Sequence, residues 1–186
     1  MSKERLDQAI RALNKVGGLV AMPSEWGYVI ACRAADREAA GRLAALPAAS
    51  NNFRILIATS IDQLCDLGLI RRYLKAVEQY WPGFIGVFIP SSDHSLDYLR
   101  SSGGIVANIT GRQSALAPII NNCGPLLILD NNQTLSDIER LRQTYDNMVD
   151  TFIDAGKLSQ TSSLTLIRVI DDAVAIIRQG DAIVPS

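Results

Sequence analysis

Gly18-Leu19-Val20-Ala21-Met22-Pro23-Ser24-Glu25-Trp26-Gly27-Tyr28-Val29-Ile30-Ala31 sets two short apolar runs on either side of a proline and two polar side chains. The runs, at 19–22 and 28–32, read as strands, and the interruption reads as the turn between them. Proline fixes φ there, and Ser24 and Glu25 project their oxygens from a strand end, where open α/β sheets bind ligands.

Outward from this turn, helical and extended patterns alternate. Leu6, Ala9, Ile10 and Leu13 recur at helical spacing until Gly17-Gly18 ends the helix. Asp36 is placed to cap a helix to residue 46, where Ala39, Ala40, Leu43 and Leu46 mark one face and Pro47 stops it. A strand is predicted at 54–58. Ser60 and Gln63 form a capping box for a helix through 67, and another helix is predicted over 70–80. Strands follow at 84–89, 105–109, 126–129, 148–153, 164–170 and 173–177, with helices at 114–121 and 136–145. The last two strands, joined by Asp171-Asp172, read as a hairpin, so the sheet should be mixed. The fold class is therefore α/β, a single twisted open mixed β-sheet flanked by helices over residues 1–186.

Composition agrees with one domain. The chain has 186 residues, 48% of them hydrophobic and 20% charged, enough for one well-buried core. A net charge of −1 supplies no global attraction to nucleic acid or to an anionic membrane. Arg33, Arg37 and Arg42, like Arg71, Arg72 and Lys75, read first as solvated helix faces. Cys32, Cys65 and Cys123 lack metal-site spacing, and their number suggests reduced thiols in a cytoplasmic protein. The first residues are charged and no apolar run has membrane-spanning length, so no membrane association is expected. His94, in the polar loop 91–95, reads as a solvent-exposed residue.

Pro23-Ser24-Glu25 followed by Tyr28 resembles the opening Pro-Thr-Glu and Tyr-Gly-Leu motif of the YrdC-like family, the threonylcarbamoyl-AMP synthases. Three further landmarks follow in the family's order. Trp81-Pro82-Gly83-Phe84 resembles its Trp-Pro-Gly-Pro turn, Ser162-Ser163 its Ser-Thr pair, and Ile177-Arg178-Gln179-Gly180 its Leu-Arg-x-Gly. The resemblance implies ATP, L-threonine and bicarbonate as substrates, joined in a threonylcarbamoyl-adenylate that serves tRNA modification. It places Ser24, Glu25 and Tyr28 on threonine and Asp130, Asn132, Ser162, Ser163 and Arg178 on the nucleotide.

Several positions depart from the family's pattern. Its Lys-x-Arg segment corresponds to Leu46-Pro47-Ala48, so two cations are absent, each worth about 1.5–3 kcal/mol of charge-assisted hydrogen bonding to phosphate. Arg54 is the nearest substitute, its bland reading being a cation at a strand start. The family's Ser-x-Asn aligns with Asp130-Asn131-Asn132. A carboxylate there repels phosphate unless it holds a magnesium ion or faces a ribose hydroxyl, and the plain alternative is a turn capping the next helix. The strand arginine becomes Asn108, and a threonine after the Trp-Pro-Gly element becomes Gly86. Two readings follow: a synthase-like enzyme with impaired phosphate chemistry, or a module of the same fold binding nucleotide, tRNA or double-stranded RNA.

Overall fold

Strand β1 (Val20–Ser24) and strand β2 (Gly27–Arg33) pair antiparallel through the expected turn, with Ser24 opposite Gly27. In the computed structural model this hairpin belongs to a larger sheet, and residues 1–47, 52–101, 104–130, 136–159, 161–171 and 173–184 are described. The other strands are β3 (Phe53–Ala58), β4 (Ile85–Ile89), β5 (Ile105–Ile109), β6 (Leu126–Asp130), β7 (Thr151–Phe152), β8 (Thr165–Ile170) and β9 (Ala173–Arg178). Among the described residues they form one nine-stranded sheet in the order β7-β1-β2-β6-β3-β5-β4-β8-β9. Three pairings are parallel (β1 with β7, β3 with β5, β4 with β8) and the rest antiparallel, so the sheet is mixed as the sequence implies.

Because side chains alternate across a strand, each strand feeds two cores. Ala21, Tyr28, Ile30, Leu56, Ala107 and Leu129 face α2 (Arg37–Ala44), α3 (Ile61–Asp66), α4 (Arg71–Ala76) and α6 (Ile138–Tyr145). Val20, Met22, Val29, Ile57, Val106 and Ile128 face α1 (Lys3–Leu13) and α5 (Ala117–Cys123). The expected caps form. Asp36 Oδ1 accepts the Ala39 N–H at 2.9 Å, and Ser60 Oγ accepts the Gln63 N–H at 3.3 Å. Gln63, however, reaches Thr59 N–H at 2.9 Å rather than closing the box on Ser60.

Three elements differ from the sequence reading. The helix over 70–80 splits into α4 and a 3-10 turn at Glu78–Tyr80, because Val77 leaves the helical region at φ −113° and ψ 6°. The strand at 148–153 shrinks to β7, since the N–H groups of Met148 and Val149 both bond back to the Tyr145 carbonyl and extend the helix's end. A further 3-10 turn, His94–Leu99, lies in the polar stretch, where Asp93 caps Ser95 at 2.8 Å and Leu96 and Leu99 are buried. No helix among the described residues is long and apolar enough to cross a membrane.

Asp150 fastens β7 and α2 to the start of β1. Its carboxylate accepts the Leu19 N–H at 2.8 Å and faces Arg42, also at 2.8 Å. Burial alone would raise this carboxyl's pKa, but the Arg42 and Leu19 hydrogen bonds outweigh it and hold the pKa below the ordinary value. A depressed folded-state pKa stabilises above the unfolded value, and that stability disappears as pH falls through the folded value. With side chains 38% and 41% exposed, the pair contributes below about 1 kcal/mol. Asp150→Asn is therefore expected to narrow the stability difference between neutral pH and about pH 3, measured by urea unfolding. An unchanged difference would show that the pair contributes nothing to acid sensitivity.

Candidate functional site

The β1–β2 turn is held by its own hydroxyls. Ser24 Oγ accepts the Trp26 N–H at 3.1 Å and donates to the Gly27 carbonyl at 2.7 Å, while Gly27 takes φ +97°, a conformation glycine adopts without strain. Tyr28 OH accepts the Ala155 N–H at 2.8 Å and donates to the Gly156 carbonyl at 2.7 Å. Burial raises the phenol's pKa, against the lowering effect of the Ala155 hydrogen bond, so the group stays protonated and able to donate. Ser162 N–H donates to the Glu25 carbonyl at 2.9 Å. The turn is thus tied to the chain segment 155–162.

Against this turn opens a cavity of about 570 Å³. Its walls are Pro23 to Trp26, Pro82 to Phe84, Thr110, Gly111 and Gln113 to Ala115 after β5, and Ala155, Leu158 and Met1. Within it Glu25 Oε1 accepts the Thr110 hydroxyl at 2.9 Å, whereas Glu25 Oε2 is buried without a hydrogen-bond partner. Trp26 is 6% exposed, meets Phe84 edge to face at 6.3 Å, and leaves its Nε1 without a partner. Trp81, by contrast, donates Nε1 to the Ile85 carbonyl at 3.0 Å and serves packing. Of the residues singled out for threonine, Glu25 keeps a polar atom unspent here, and the hydroxyls of Ser24 and Tyr28 are engaged in positioning the turn. Trp26 and Thr110 are cavity residues the motif reading passed over. Their signal was local, one following Glu25 directly and the other closing strand β5.

The phosphate-side positions are scattered. Leu46 is 6% exposed and packs in the core with Leu43, so its side chain faces no cleft; Ala48 and Asn132 lie outside the described residues. Asn108 is fully buried and donates Nδ2 to the Gly83 and Ile85 carbonyls at 2.7 and 2.9 Å. Gly86 is steric: a Cβ there would stand 2.7 Å from Leu166 Cδ2 and 3.2 Å from Val106 Cγ1. Arg178 is ion-paired with Asp130, donates to the Leu164 carbonyl at 3.1 Å, and sits over the Phe53 ring. The carboxylate that would repel phosphate is instead the partner of the guanidinium that would bind it.

Arg54 stands apart from this group. On β3 it alternates with Phe53, whose ring lies beneath Arg178, so Arg54 projects from the opposite sheet face. Its guanidinium donates to the carbonyls of Tyr98 (3.2 Å) and Arg100, and burial lowers its pKa. A substitute phosphate contact alongside Asp130 and Arg178 is therefore not what its placement provides. Ser163 N–H donates to Asp181 Oδ2 at 2.8 Å, and Gly180 passes so close to β8 that a Cβ would lie 2.4 Å from the Ser163 carbonyl oxygen. With Asp130 facing an arginine and no group of three His, Cys, Asp or Glu side chains gathered among the described residues, the donors present do not form a magnesium site. His94 is solvent-exposed, its ring 3.2 Å from Asp97.

An open mixed α/β sheet with a cavity at a hairpin tip, bordered by the Trp-Pro-Gly turn, places the chain among the open-sheet α/β folds. The chain belongs to the Sua5/YciO/YrdC family, whose model, described as "Telomere recombination", matches residues 12–180. A threonylcarbamoyl-AMP synthase of Coxiella burnetii is 25% identical over 173 residues, covering 89% of this chain and 92% of the relative. The crystal structure of E. coli YciO superposes with a TM-score of 0.74 at 20% identity, covering 97% of this chain and 91% of that one. P. abyssi Sua5, solved in complex with L-threonine, gives 0.71 at 16% identity over 97% of this chain and 55% of that one.

Proposed function

We propose that this chain is a cytoplasmic, divergent relative of the threonylcarbamoyl-AMP synthases that keeps the small-substrate cavity and has lost the phosphate clamp. The observation that carries the reading is the fate of the cationic positions. Leu46 is core, Asn108 is spent on two carbonyls, and Arg178 is paired with Asp130. In the family's reaction a threonylcarbamate oxygen attacks the α-phosphorus of ATP and pyrophosphate leaves. Negative charge spreads over phosphate oxygens as that bond breaks, and fixed cations are what stabilise it in the transition state. Their loss reduces the chemical step more than ground-state binding, because such groups act chiefly where charge develops.

The relative named a synthase and the Sua5 structure with L-threonine support threonine as a ligand of the cavity. The expected result is no pyrophosphate release above background when the protein is given ATP, L-threonine and bicarbonate. Release that requires all three, at an ordinary enzymatic rate of about 1 per second or more, would replace this reading with that of a working synthase using another clamp.

A further inference from the structure

Strand β9 lies at one end of the sheet and pairs with β8 alone. Its residues 173–177 read Ala-Val-Ala-Ile-Ile, carry no charge, and are all exposed. Val174, Ile176, Ile177 and their neighbour Ile170 on β8 are between 36% and 55% exposed. Four of the nine large apolar side chains exposed among the described residues thus stand on one hairpin, a patch rather than a scatter. An edge strand of this kind pairs with another strand unless a lysine, a proline or its own shortness prevents it. None of these protects residues 173–177, whereas the opposite edge of the sheet, β7, is two residues long.

The phase of the β8–β9 ladder decides which backbone groups are free to pair. Ile170 and Ala173 close a two-residue loop, which requires that they exchange hydrogen bonds, and Arg168 and Ala175 do so two positions further on. Val174 and Ile176 alternate with these and turn their N–H and C=O groups outward. Among the described residues no other segment takes a backbone bond from residues 173–177. Laid antiparallel against a second copy about a two-fold axis at Ala175, the strand sets Val174 opposite Ile176 of that copy, and Ile176 opposite its Val174. Outward groups then meet outward groups. Across this seam one face reads Val169, Val174, then Ile176 and Ile167 of the second copy, apolar throughout. Ile167 and Val169 already pack in the core on the α2 side of the sheet, so the pairing extends a buried cluster. An uncharged strand and a net charge of −1 per chain leave little like-charge repulsion to oppose it.

We propose that two copies of this chain associate through their β9 edges, antiparallel and centred on Ala175, into one continuous sheet. The two-fold arrangement closes on itself, and β7 is too short to receive a β9 edge, so assembly stops at two. Six residues a side make a seam about 20 Å long, small beside a permanent interface, and a dissociation constant of about 10 μM is expected. The dimer stands whatever the cavity binds.

Sedimentation equilibrium of the full chain between about 1 and 200 μM tests it. The mass should rise from 20.2 kDa toward twice that value and no further. Ile176→Lys, which brings an ammonium group to the seam from each copy, should weaken association by about tenfold or more. Val174→Pro removes an outward N–H that β8 does not use, so it should abolish the dimer while the circular dichroism of the folded chain persists. Val16→Lys, at an apolar side chain exposed elsewhere, should change nothing. The two-fold pairing also sets the Ala175 Cα atoms of the two copies about 4.5 Å apart, within disulfide reach. Mild oxidation should therefore link copies of Ala175→Cys and not of Ala173→Cys, a readout that decides the matter even if Val174→Pro folds poorly. A chain that stays monomeric and gives no such link would overturn the proposal. So would a dimer indifferent to Ile176→Lys, one weakened equally by Val16→Lys, or a mass that climbs past two copies.

Discussion

Replacing Leu46 by lysine is expected to destabilise the protein by about 4 kcal/mol and to leave ATP affinity unchanged. Aligned to the family's motif, this position is where a phosphate-binding lysine belongs. In the structure the leucine lies just past the end of α2 and packs in the same buried cluster as Leu43, at 6% exposure. The substitution removes packed methyl groups and asks an ammonium group to leave water or the long stem to bend outward. Urea unfolding monitored by circular dichroism measures the loss. A variant as stable as the parent and tighter for ATP would show that the side chain faces a nucleotide site after all.

Asp130→Ser, the change that restores the family's hydroxyl, should act in two opposed directions. Asp130 and Arg178 are 18% and 17% exposed, so removing one partner leaves a cation poorly solvated, at a cost of about 2–3 kcal/mol. The same loss removes the guanidinium's carboxylate, and inorganic phosphate or ATP should then bind about tenfold more tightly through Arg178. Thermal unfolding and phosphate titration read the two effects separately. Unchanged stability together with unchanged phosphate affinity would mean that the pair neither holds the sheet nor masks a phosphate contact.

Much of this architecture was legible in the residues. Strand and helix periods alternated clearly, and the proline-centred turn at 23–27 and the hairpin at 171–172 announced an open mixed sheet. For Leu46 the helical spacing from Ala39 through Leu43 already indicated a buried face, and that local pattern was a better guide than the motif alignment. Arg54 is a different case. Residues 53–58 form a strand buried on both sides, apolar at nearly every position, so no alternation revealed which face the arginine would take. The engagement of the Tyr28 hydroxyl was also unreadable, because it finds its partners at Ala155 and Gly156, more than a hundred positions away. Such satisfaction is decided by tertiary structure, whereas a motif records only which residue types stand in a row.

That long reach bears on when the cavity comes into being. The hairpin tip can form as soon as the first 33 residues are available, yet its wall is closed by Ala155 and Leu158 and its backbone is fastened by Ser162. Closing so long a loop is entropically expensive and is deferred until other contacts have drawn the ends together. A ribosome-bound chain that stops short of residue 162 therefore carries the turn but not its receptor, and ligand capture marks completion of the whole sheet rather than of its first hairpin. By mass action a bound ligand then reinforces every strand the cavity depends on.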